Sequence, residues 1–392
     1  MLEKGVRELH RRVLRLGCLG LILLLCLENN LALYANAAPV VTAAPIPTVS
    51  AQSAVLIEPS NSIAIYEKNA RVRLPMASTT KIMTAIVALE YADPAMTVKI
   101  PPAAVGIEGS SIYLYAGECL SLEHLLYALL LESANDAATA IAIAIAGSVE
   151  AFADLMNRKA DELGLSDTHF TNPHGLDHEQ HYTTAADLAK IAAYCLNNEL
   201  FCTIVATQRM TIPLHDTEGV RLLINHNRLL RSYEGTIGLK TGFTKRSGRC
   251  LVSAAKRNGV MLIAVTLNAP DDWDDHRNMF DYGFEQYTSL LLQSTGSYVR
   301  TVPVIGMFPT TISVANENDV KIILPKQHAD IILTCELPRW IAGNVEKGAR
   351  IGQLVWRCDG KIIALEPLVA QASAVSSPQK ISLWERFLSL FS

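Results

Sequence analysis

The sequence has little charge and no basic excess. Of its 392 residues, 18% are charged, and the formal net charge at pH 7 is -4. Nucleic-acid-binding proteins carry a basic footprint, so this composition argues against nucleic acid as a partner. Hydrophobic residues make up 50% of the chain, which indicates a globular protein with a core large enough for two domains.

The chain also lacks an apolar run long enough to cross a bilayer comfortably. Its most hydrophobic stretch, residues 16–27, is shorter than the roughly 20 residues of a transmembrane helix. A basic segment precedes this stretch, and Ala35-Asn36-Ala37 follows it with the small residues of a cleavage site. We therefore expect a signal peptide at 1–37 and an exported mature chain, the alternative being an uncleaved membrane anchor. Lipidation at Cys18 is excluded, because Arg15 stands where a lipobox requires an apolar residue.

The cysteines and histidines lack the spacing of a metal site. His174, His178 and His181 lie close together, but without an HExxH helix or a neighbouring cysteine, so we interpret them as ordinary loop histidines. We expect no metal and no cofactor. The cysteines are sparse, and we expect mostly free thiols, with a Cys335–Cys358 bridge as the alternative. Those that follow the leader are Cys119, Cys195, Cys202, Cys250, Cys335 and Cys358.

Periodic apolar patterns predict a mixed α/β region at 51–295, after a linker at 38–50. Ser121 and Ser148 are predicted helix N-caps. The strands are predicted at 54–58, 62–66, 236–243, 249–256 and 260–268. The helices are predicted at 78–91, 122–132, 136–147, 149–163, 185–197 and 271–292.

From residue 296 the pattern changes to short strands divided by Gly, Pro and Asn, which predicts a small all-β domain at 296–369. Residues 370–392 hold a linker and a terminal segment with apolar residues at helical spacing. We expect this segment to form an amphipathic helix on the outer face of the cell membrane, the alternative being that it docks on the protein itself. Its apolar residues are Trp384, Phe387, Leu388 and Phe391.

Three short motifs follow one another through the mixed region. Ser78 and Lys81 lie three residues apart at the start of a predicted helix, Ser133-Ala134-Asn135 forms a turn between two buried helices, and Lys240-Thr241-Gly242 lies on a strand. A serine and a lysine one helical turn apart share a face, where an amine can deprotonate a hydroxyl. Each motif alone is weak. Their order and their structural contexts together indicate an acyl-transfer enzyme.

The chain resembles the low-molecular-weight D-alanyl-D-alanine carboxypeptidases, which are penicillin-binding proteins. The resemblance covers about residues 45–290. It departs from the family's pattern at Ala134, where glycine is more frequent, and at Phe243, where relatives often have a polar residue. The matching stretches are PMASTTKIMTA, LLLESANDAA, NPHGLDHEQHYTTAADLAKIA and GLKTGFTKRSGRCLVSAAKRNG.

This resemblance implies a serine-type carboxypeptidase that removes the terminal D-alanine of peptidoglycan stem peptides and is acylated by β-lactams. Ser78 is then the expected nucleophile, Lys81 its general base, and Ser133 the proton relay to the leaving group. The expected substrate-binding residues are Asn135, Lys240, Thr241, Gly242 and Phe243, the last through its N–H in an oxyanion hole shared with the N–H of Ser78.

The resemblance also implies the fold: an antiparallel sheet formed by the N-terminal hairpin and the strands after residue 236, with an all-α subregion between 78 and 197. Two other functions share parts of this pattern. A class A β-lactamase would need a Glu-x-x-Leu-Asn-type loop between the second and third motifs, and none is found there. A non-catalytic wall-binding scaffold would be expected to lose a motif residue, and none is lost.

Overall fold

The computed structural model describes residues 45–60, 63–214 and 219–376. The predicted signal peptide, most of the 38–50 linker and the predicted C-terminal helix lie outside the described residues. Within the described ranges, no single helix is long and apolar enough to cross a membrane; one bent pair of helices passes that test by length and composition only.

The first half of the described chain is a hairpin followed mainly by helices. Its elements are β1 (Ser53–Glu58), β2 (Ile63–Lys68), a 3-10 turn (Ala77–Thr80), α1 (Lys81–Tyr91), β3 (Thr97–Lys99), a second 3-10 turn (Pro102–Ala104), β4 (Cys119–Ser121), α2 (Leu122–Leu131), α3 (Asn135–Ala146), α4 (Val149–Glu162), α5 (Ala185–Cys195) and α6 (Glu199–Ala206).

The second half contains most of the strands. Its elements are β5 (Arg209–Pro213), β6 (Val220–Ile224), α7 (Leu229–Ser232), β7 (Thr236–Thr244), β8 (Gly248–Arg257), β9 (Val260–Leu267), α8 (Asp272–Gln286), β10 (Tyr287–Gln293), β11 (Val299–Ile305), β12 (Thr311–Asn316), β13 (Val320–Pro325), β14 (Ile331–Glu336), β15 (Ile341–Ala342), β16 (Arg350–Cys358) and β17 (Lys361–Ala370).

The central antiparallel sheet has the order β2-β1-β9-β8-β7, which confirms that the hairpin and the three later strands share one sheet. Alternate residues of a strand face opposite sides of the sheet. Val55 and Ile57 accordingly pack into the core of the helical subregion, whereas Ala54 and Leu56 pack into a second core beneath α8. The sheet is thus covered on both faces, and β7 lies at its edge.

Both predicted N-caps are confirmed. The Ser121 hydroxyl accepts a hydrogen bond from the His124 N–H at 3.1 Å, and the Ser148 hydroxyl accepts one from the Ala151 N–H at 3.1 Å. Such a cap is worth about 1 kcal/mol to its helix. Ser121 therefore helps to define where α2 begins, and α2 leads directly into the Ser133 turn.

The predicted helix at 271–292 is wrong beyond Gln286. Residues 287–293 form β10, which pairs with β13 through partners such as Thr288 and Leu324. The Tyr-Thr-Ser-Leu-Leu-Leu sequence suits a strand, and pairing with β13 outweighs the helical spacing of its apolar residues. The β-rich part of the chain therefore begins before Gly296. The short β3–β4 hairpin is a second difference, because it interrupts the region that was predicted to be all α.

All six cysteines in the described ranges are free thiols, as expected, and the Cys335–Cys358 alternative is wrong. Cys335 pairs with Leu354 across β14 and β16, whereas Cys358 pairs with Ile331. The two cysteines therefore lie four residue pairs apart, roughly 13 Å along the ladder, which is beyond the reach of a disulfide.

Candidate active site

Ser78 and Lys81 meet at the start of α1. Ser78 lies in the 3-10 turn, and Lys81 opens the helix three residues later, so their side chains share a face. The Lys81 Nζ donates to the Ser78 Oγ at 3.0 Å. Lys81 is fully buried, whereas Ser78 lines an open groove. The pair therefore combines an accessible hydroxyl with a desolvated amine.

Two further acceptors surround the Lys81 amine. The Nζ donates to the Asn135 Oδ1 at 2.7 Å and, through a short hydrogen bond, to the carbonyl oxygen of His174. Burial lowers the pKa of Lys81 well below its usual range, and the nearby Lys240 cation lowers it further, whereas Asp136 acts in the opposite direction. The free amine, which can accept a proton, is therefore favoured at a lower pH than for an exposed lysine.

The second motif forms the turn between α2 and α3. Ser133 is 5% exposed and has a φ of 61°, a conformation that non-glycine residues rarely adopt. Asn135 begins α3, and its Nδ2 donates to the Glu108 carbonyl at 2.6 Å while its Oδ1 accepts from Lys81. The protein's own atoms therefore fix the orientation of this amide before any substrate arrives.

The third motif lies on edge strand β7. A Cβ added to Gly242 would lie 3.1 Å from the Ser78 N and 3.2 Å from the Met76 carbonyl oxygen, so the two backbones approach closely here. The Lys240 ammonium is 1% exposed and donates to the Thr241 carbonyl at 2.9 Å. Burial lowers the pKa of Lys240 to about 7, opposed by Glu132. This buried cation is the one that acts on Lys81.

These motifs surround a groove of about 320 Å³. Among the residues predicted for the site, Ser78, Ser133, Thr241, Gly242 and Phe243 line it, and Phe243 is 65% exposed at its rim. The other three predicted residues, Lys81, Asn135 and Lys240, lie in the buried layer behind this lining. The fold thus brings all eight predicted residues into one site with two layers.

One wall of the groove consists of residues that the motifs do not predict. The Nε and Nη2 of Arg249 each lie 3.0 Å from the Asp272 Oδ1, and Asp272 is buried. The guanidinium groups of Arg228 and Arg249 both lie 5.9 Å from the ring centre of Trp273. No motif in the sequence indicated a role for Trp273. Its place beside the groove depends on the packing of α8 against the sheet, which no local pattern indicates.

The loop histidines support the Ser78 turn from behind. His181 is 3% exposed; its Nδ1 accepts from the Thr171 N–H at 3.0 Å, so its Nε2 carries the proton towards the Thr80 hydroxyl at 2.8 Å. Burial lowers the pKa of His181 to about 3, which keeps the ring neutral. In the described part of the chain, no group of three His, Cys, Asp or Glu residues is arranged to hold a metal.

Gly175 allows the same loop to approach the turn. It has a φ of 88°, and a Cβ at this position would lie 2.0 Å from the Ala77 carbonyl oxygen. The neighbouring His174 supplies its carbonyl oxygen to Lys81. The only signal for these roles in the sequence was that the Asn-Pro-His-Gly stretch belongs to the family resemblance.

Backbone strain accompanies all three motifs. Ala77, directly before the nucleophile, has a φ of 48°, and Leu239, directly before Lys240, has a φ of 94°. Together with Ser133, these are non-glycine residues in the left-handed region of φ, each costing about 1–3 kcal/mol. The surrounding core must hold them in place.

Comparison with known families agrees with this geometry. A family model for D-alanyl-D-alanine carboxypeptidase, peptidase family S11, matches residues 40–271. A second model, the C-terminal domain of penicillin-binding protein 5, matches residues 287–375 and so begins where β10 does.

Individual relatives extend over most of the chain. The D-alanyl-D-alanine carboxypeptidase DacF of Bacillus subtilis is 33% identical, over 82% of this chain and 85% of its own length. The crystal structure of penicillin-binding protein 5 from Haemophilus influenzae is 26% identical, has a TM-score of 0.68, and covers 84% of this chain and 98% of its own. The DD-transpeptidase of Streptomyces K15 is 34% identical with a TM-score of 0.58, over 61% of this chain and 99% of its own.

These matches bear out the predicted fold, a penicillin-binding-protein-like α/β domain followed by a small all-β domain. The family model alone spans more than half of the chain. The chain therefore belongs to the D-alanyl-D-alanine carboxypeptidase family and is a penicillin-binding, serine-type carboxypeptidase.

Proposed function

We propose that Ser78 is the nucleophile of this carboxypeptidase and that Lys81 is its general base. The observation that carries the proposal is the 3.0 Å contact between the Ser78 Oγ and a fully buried Nζ of lowered pKa. A base must lie within hydrogen-bonding reach of the proton that it removes, and its conjugate acid must be disfavoured near neutral pH. Lys81 meets both conditions.

The contacts of Lys81 also orient its lone pair. A neutral amine has two protons and one lone pair, and the Asn135 Oδ1 and the His174 carbonyl oxygen can only accept hydrogen bonds. Each of these two oxygens accepts a hydrogen bond from one N–H of the amine, so the lone pair points towards the Ser78 hydroxyl. Asn135 and His174 are therefore positioning residues for the proton transfer.

The reaction consists of acylation of Ser78 followed by hydrolysis of the acyl-enzyme. The Ser78 Oγ attacks the carbonyl carbon of the penultimate D-alanine while its proton passes to Lys81, and the N–H groups of Ser78 and Phe243 stabilise the oxyanion. The bond to the terminal D-alanine breaks, and the proton held by Lys81 passes through the Ser133 hydroxyl to the leaving nitrogen. A water molecule then gives a proton to the neutral Lys81 and attacks the ester, and that proton returns to the Ser78 Oγ as the shortened peptide leaves.

Substrate recognition divides between the two layers of the site. Thr241 lines the groove, which supports a role for its hydroxyl as a donor to the terminal carboxylate, while the Lys240 charge behind it attracts that carboxylate. The Asn135 amide binds the peptide group of the donor chain, and Gly242 leaves room for the substrate beside the Ser78 N–H. A β-lactam that mimics the D-Ala-D-Ala end enters in the same way.

We further propose that the enzyme acts outside the cytoplasm on cell-wall stem peptides. The leader at 1–37 supports export, and the apolar spacing of residues 381–391 supports attachment to the outer face of the cell membrane. The corresponding domains are a catalytic domain over 51–286, a β-domain over 287–376 that separates it from the membrane, and an anchor after it. The boundaries expected from the sequence, 295/296 and 369/370, are moved because β10 pairs with β13 and Val375 pairs with Phe308.

The test is the intact mass of the protein after incubation with a penicillin, followed over hours. We expect one stable adduct on the Ser78 peptide, and loss of both the adduct and D-alanine release in Ser78→Ala. Ser110→Ala is the matched control, because Ser110 lines the same groove and has no proposed role in bond making. An adduct retained in Ser78→Ala would contradict the assignment of Ser78 as the nucleophile. An adduct that vanishes quickly with drug turnover would indicate a β-lactamase instead of a carboxypeptidase.

A further inference from the structure

One end of the β-rich region exposes four large apolar side chains. Ile305 is 57% exposed, Phe308 70%, Trp340 55% and Val375 51%. We call these four residues the apolar end patch. Large exposed apolar groups that cluster in this way mark sites of contact with another apolar surface.

Backbone pairing joins the four residues in two pairs, and the turn formed by Gly306 and Met307 connects one pair to the other along the chain. Phe308 and Val375 exchange hydrogen bonds of 2.8 and 3.1 Å, so their side chains are neighbours. Ile305 pairs with Ala342 across the parallel strands β11 and β15. Because residues two apart in an extended chain share a face, Trp340 lies on the same side as Ala342 and Ile305.

The apolar end patch lies on the outer face of strands whose inner face packs into the core of the β-rich region. Val302 and Val304 alternate with Ile305 and are each 2% exposed in the core of the β-rich region, together with Val345. The patch side chains are therefore not needed to fill that core. Their exposure is not explained by the folding of the described chain.

The position of the last described residues indicates which surface the apolar end patch contacts. Val375 belongs to the patch, and the segment with Trp384 and Phe387 begins at Ile381, six residues later. Six extended residues span at most about 20 Å. If residues 381–391 lie in a lipid interface, the patch is held within that distance of the same surface. Trp favours the headgroup level of a bilayer, and Phe is typical of apolar faces that enter the boundary between the headgroups and the acyl chains.

We propose that the apolar end patch is a second membrane-contacting surface, which inserts Trp340 at the headgroup level of a phospholipid bilayer and Phe308 at the boundary between the headgroups and the acyl chains. This inference rests on the proposed membrane location and adds to it a contact made by the β-rich region itself. Exposed Arg339, next to Trp340, gives the rim a cation that suits anionic headgroups. Two contacts a short linker apart fix the orientation of the domain as well as its distance from the membrane.

Quenching of tryptophan fluorescence by brominated phospholipid tests the depth of Trp340 directly. The chain from Ala38 onward is used with Trp384→Phe, which removes the tryptophan of the terminal segment. Trp356 is 3% exposed and Trp273 lies in the active-site groove, so Trp340 is the tryptophan at the patch. We expect vesicles to quench this fluorescence, and Trp340→Phe to abolish the quenching. Equal quenching with and without Trp340 on bound protein would overturn the proposal and leave terminal anchoring intact.

Two double variants test how much the apolar end patch contributes to the affinity for phospholipid vesicles. Phe308→Ser with Trp340→Ser should weaken binding to mixed anionic and zwitterionic vesicles at least about tenfold. The matched control is Ile332→Ser with Ile362→Ser, which are 61% and 53% exposed, and Ile362 lies roughly 26 Å from Ala370 along β17. The control should bind like the wild type, and an equal loss in both would contradict a defined patch.

Two other readouts separate this proposal from its competitors and from the catalytic one. Penicillin acylation should be unchanged in both double variants, because none of the four residues lines the groove. If sedimentation shows that the patch variant dissociates an oligomer while vesicle binding is unchanged, the patch is an interface between copies and the proposal is wrong. If the unaltered chain does not bind vesicles at all, both this proposal and the membrane location fail, while acylation still tests the enzyme.

Discussion

The buried Lys240 side chain should make the active enzyme less stable than an inactive variant. Its pKa is lowered from an ordinary 10.5 to about 7, mainly by burial. Each unit of pKa corresponds to about 1.4 kcal/mol between the charged and neutral forms, so the folded state bears a penalty approaching 5 kcal/mol when Lys240 is charged. Lys240→Met keeps a side chain of similar length and removes the charge.

The net gain is smaller than this penalty, because the variant also loses the hydrogen bond from the Lys240 Nζ to the Thr241 carbonyl, worth about 1 kcal/mol. We expect Lys240→Met to raise the free energy of unfolding by about 2–4 kcal/mol at pH 7. The variant should at the same time lose most of its D-alanine release. Urea unfolding followed by circular dichroism measures the first quantity.

The pH dependence identifies the cause. Between pH 7 and 10.5 the unfolded chain holds a proton on residue 240 that the folded chain has released, so wild-type stability rises with pH. This residue should contribute an increase of about 2 kcal/mol from pH 7 to 9. Removing the Lys240 charge also makes the pKa of Lys81 less depressed in the variant, and this effect has the same sign and adds to the gain in stability. The stability difference between variant and wild type should therefore shrink as the pH rises.

Lys256→Met is the control, since Lys256 lies on the adjacent strand β8 with an exposed side chain. It should leave the stability nearly unchanged at every pH. The reasoning would be refuted if Lys240→Met were no more stable than wild type at pH 7. It would equally be refuted if the stability difference did not change between pH 7 and 9.

Three further substitutions test the layer behind the groove. Gly175→Ala should slow acylation by a fluorescent penicillin at least about tenfold, because its Cβ would clash with the Ala77 carbonyl, whereas Gly164→Ala has a φ of 65° with open space and should leave the rate unchanged. In the wild type the acylation rate should fall as the pH drops through the lowered pKa of Lys81, and Lys81→Arg should acylate about 100-fold more slowly at every pH, since a guanidinium does not deprotonate; retention of the wild-type profile would exclude Lys81 as the base. Thr80→Val leaves the Nε2 of buried His181 without its acceptor and should lower the free energy of unfolding by about 2 kcal/mol in urea titrations, and an unchanged midpoint would contradict the support assigned to this contact.

Local sequence patterns predicted the parts of this site that belong to regular elements. Ser78 and Lys81 share a helical face by spacing alone, and Ser121 caps α2 as its residue type predicts. The sheet partners of the N-terminal hairpin were predicted from the family resemblance, because no local pattern indicates that β1 pairs with β9. Pairing between distant strands is decided by the whole core.

The errors have the same origin. Residues 287–292 were predicted as helix because Tyr287 and Leu291 continue the apolar spacing of that helix, and pairing with β13 makes them a strand instead. The Arg249 and Trp273 wall depends likewise on how α8 packs beside β8. The acceptor role of His174 could not be predicted for a different reason. It depends on the backbone carbonyl oxygen, which every residue has.

The strained residues beside the three motifs have a consequence for how this chain evolves. Ala77 and Leu239 hold positive φ angles that glycine would adopt at little cost, and Ser133 holds one within its own motif. If selection acted on stability alone, these three positions would be the first to change, because relaxing each of them would raise the free energy of unfolding by about 1 kcal/mol or more. Selection for stability alone and the present geometry of the site therefore make opposite demands on these three positions.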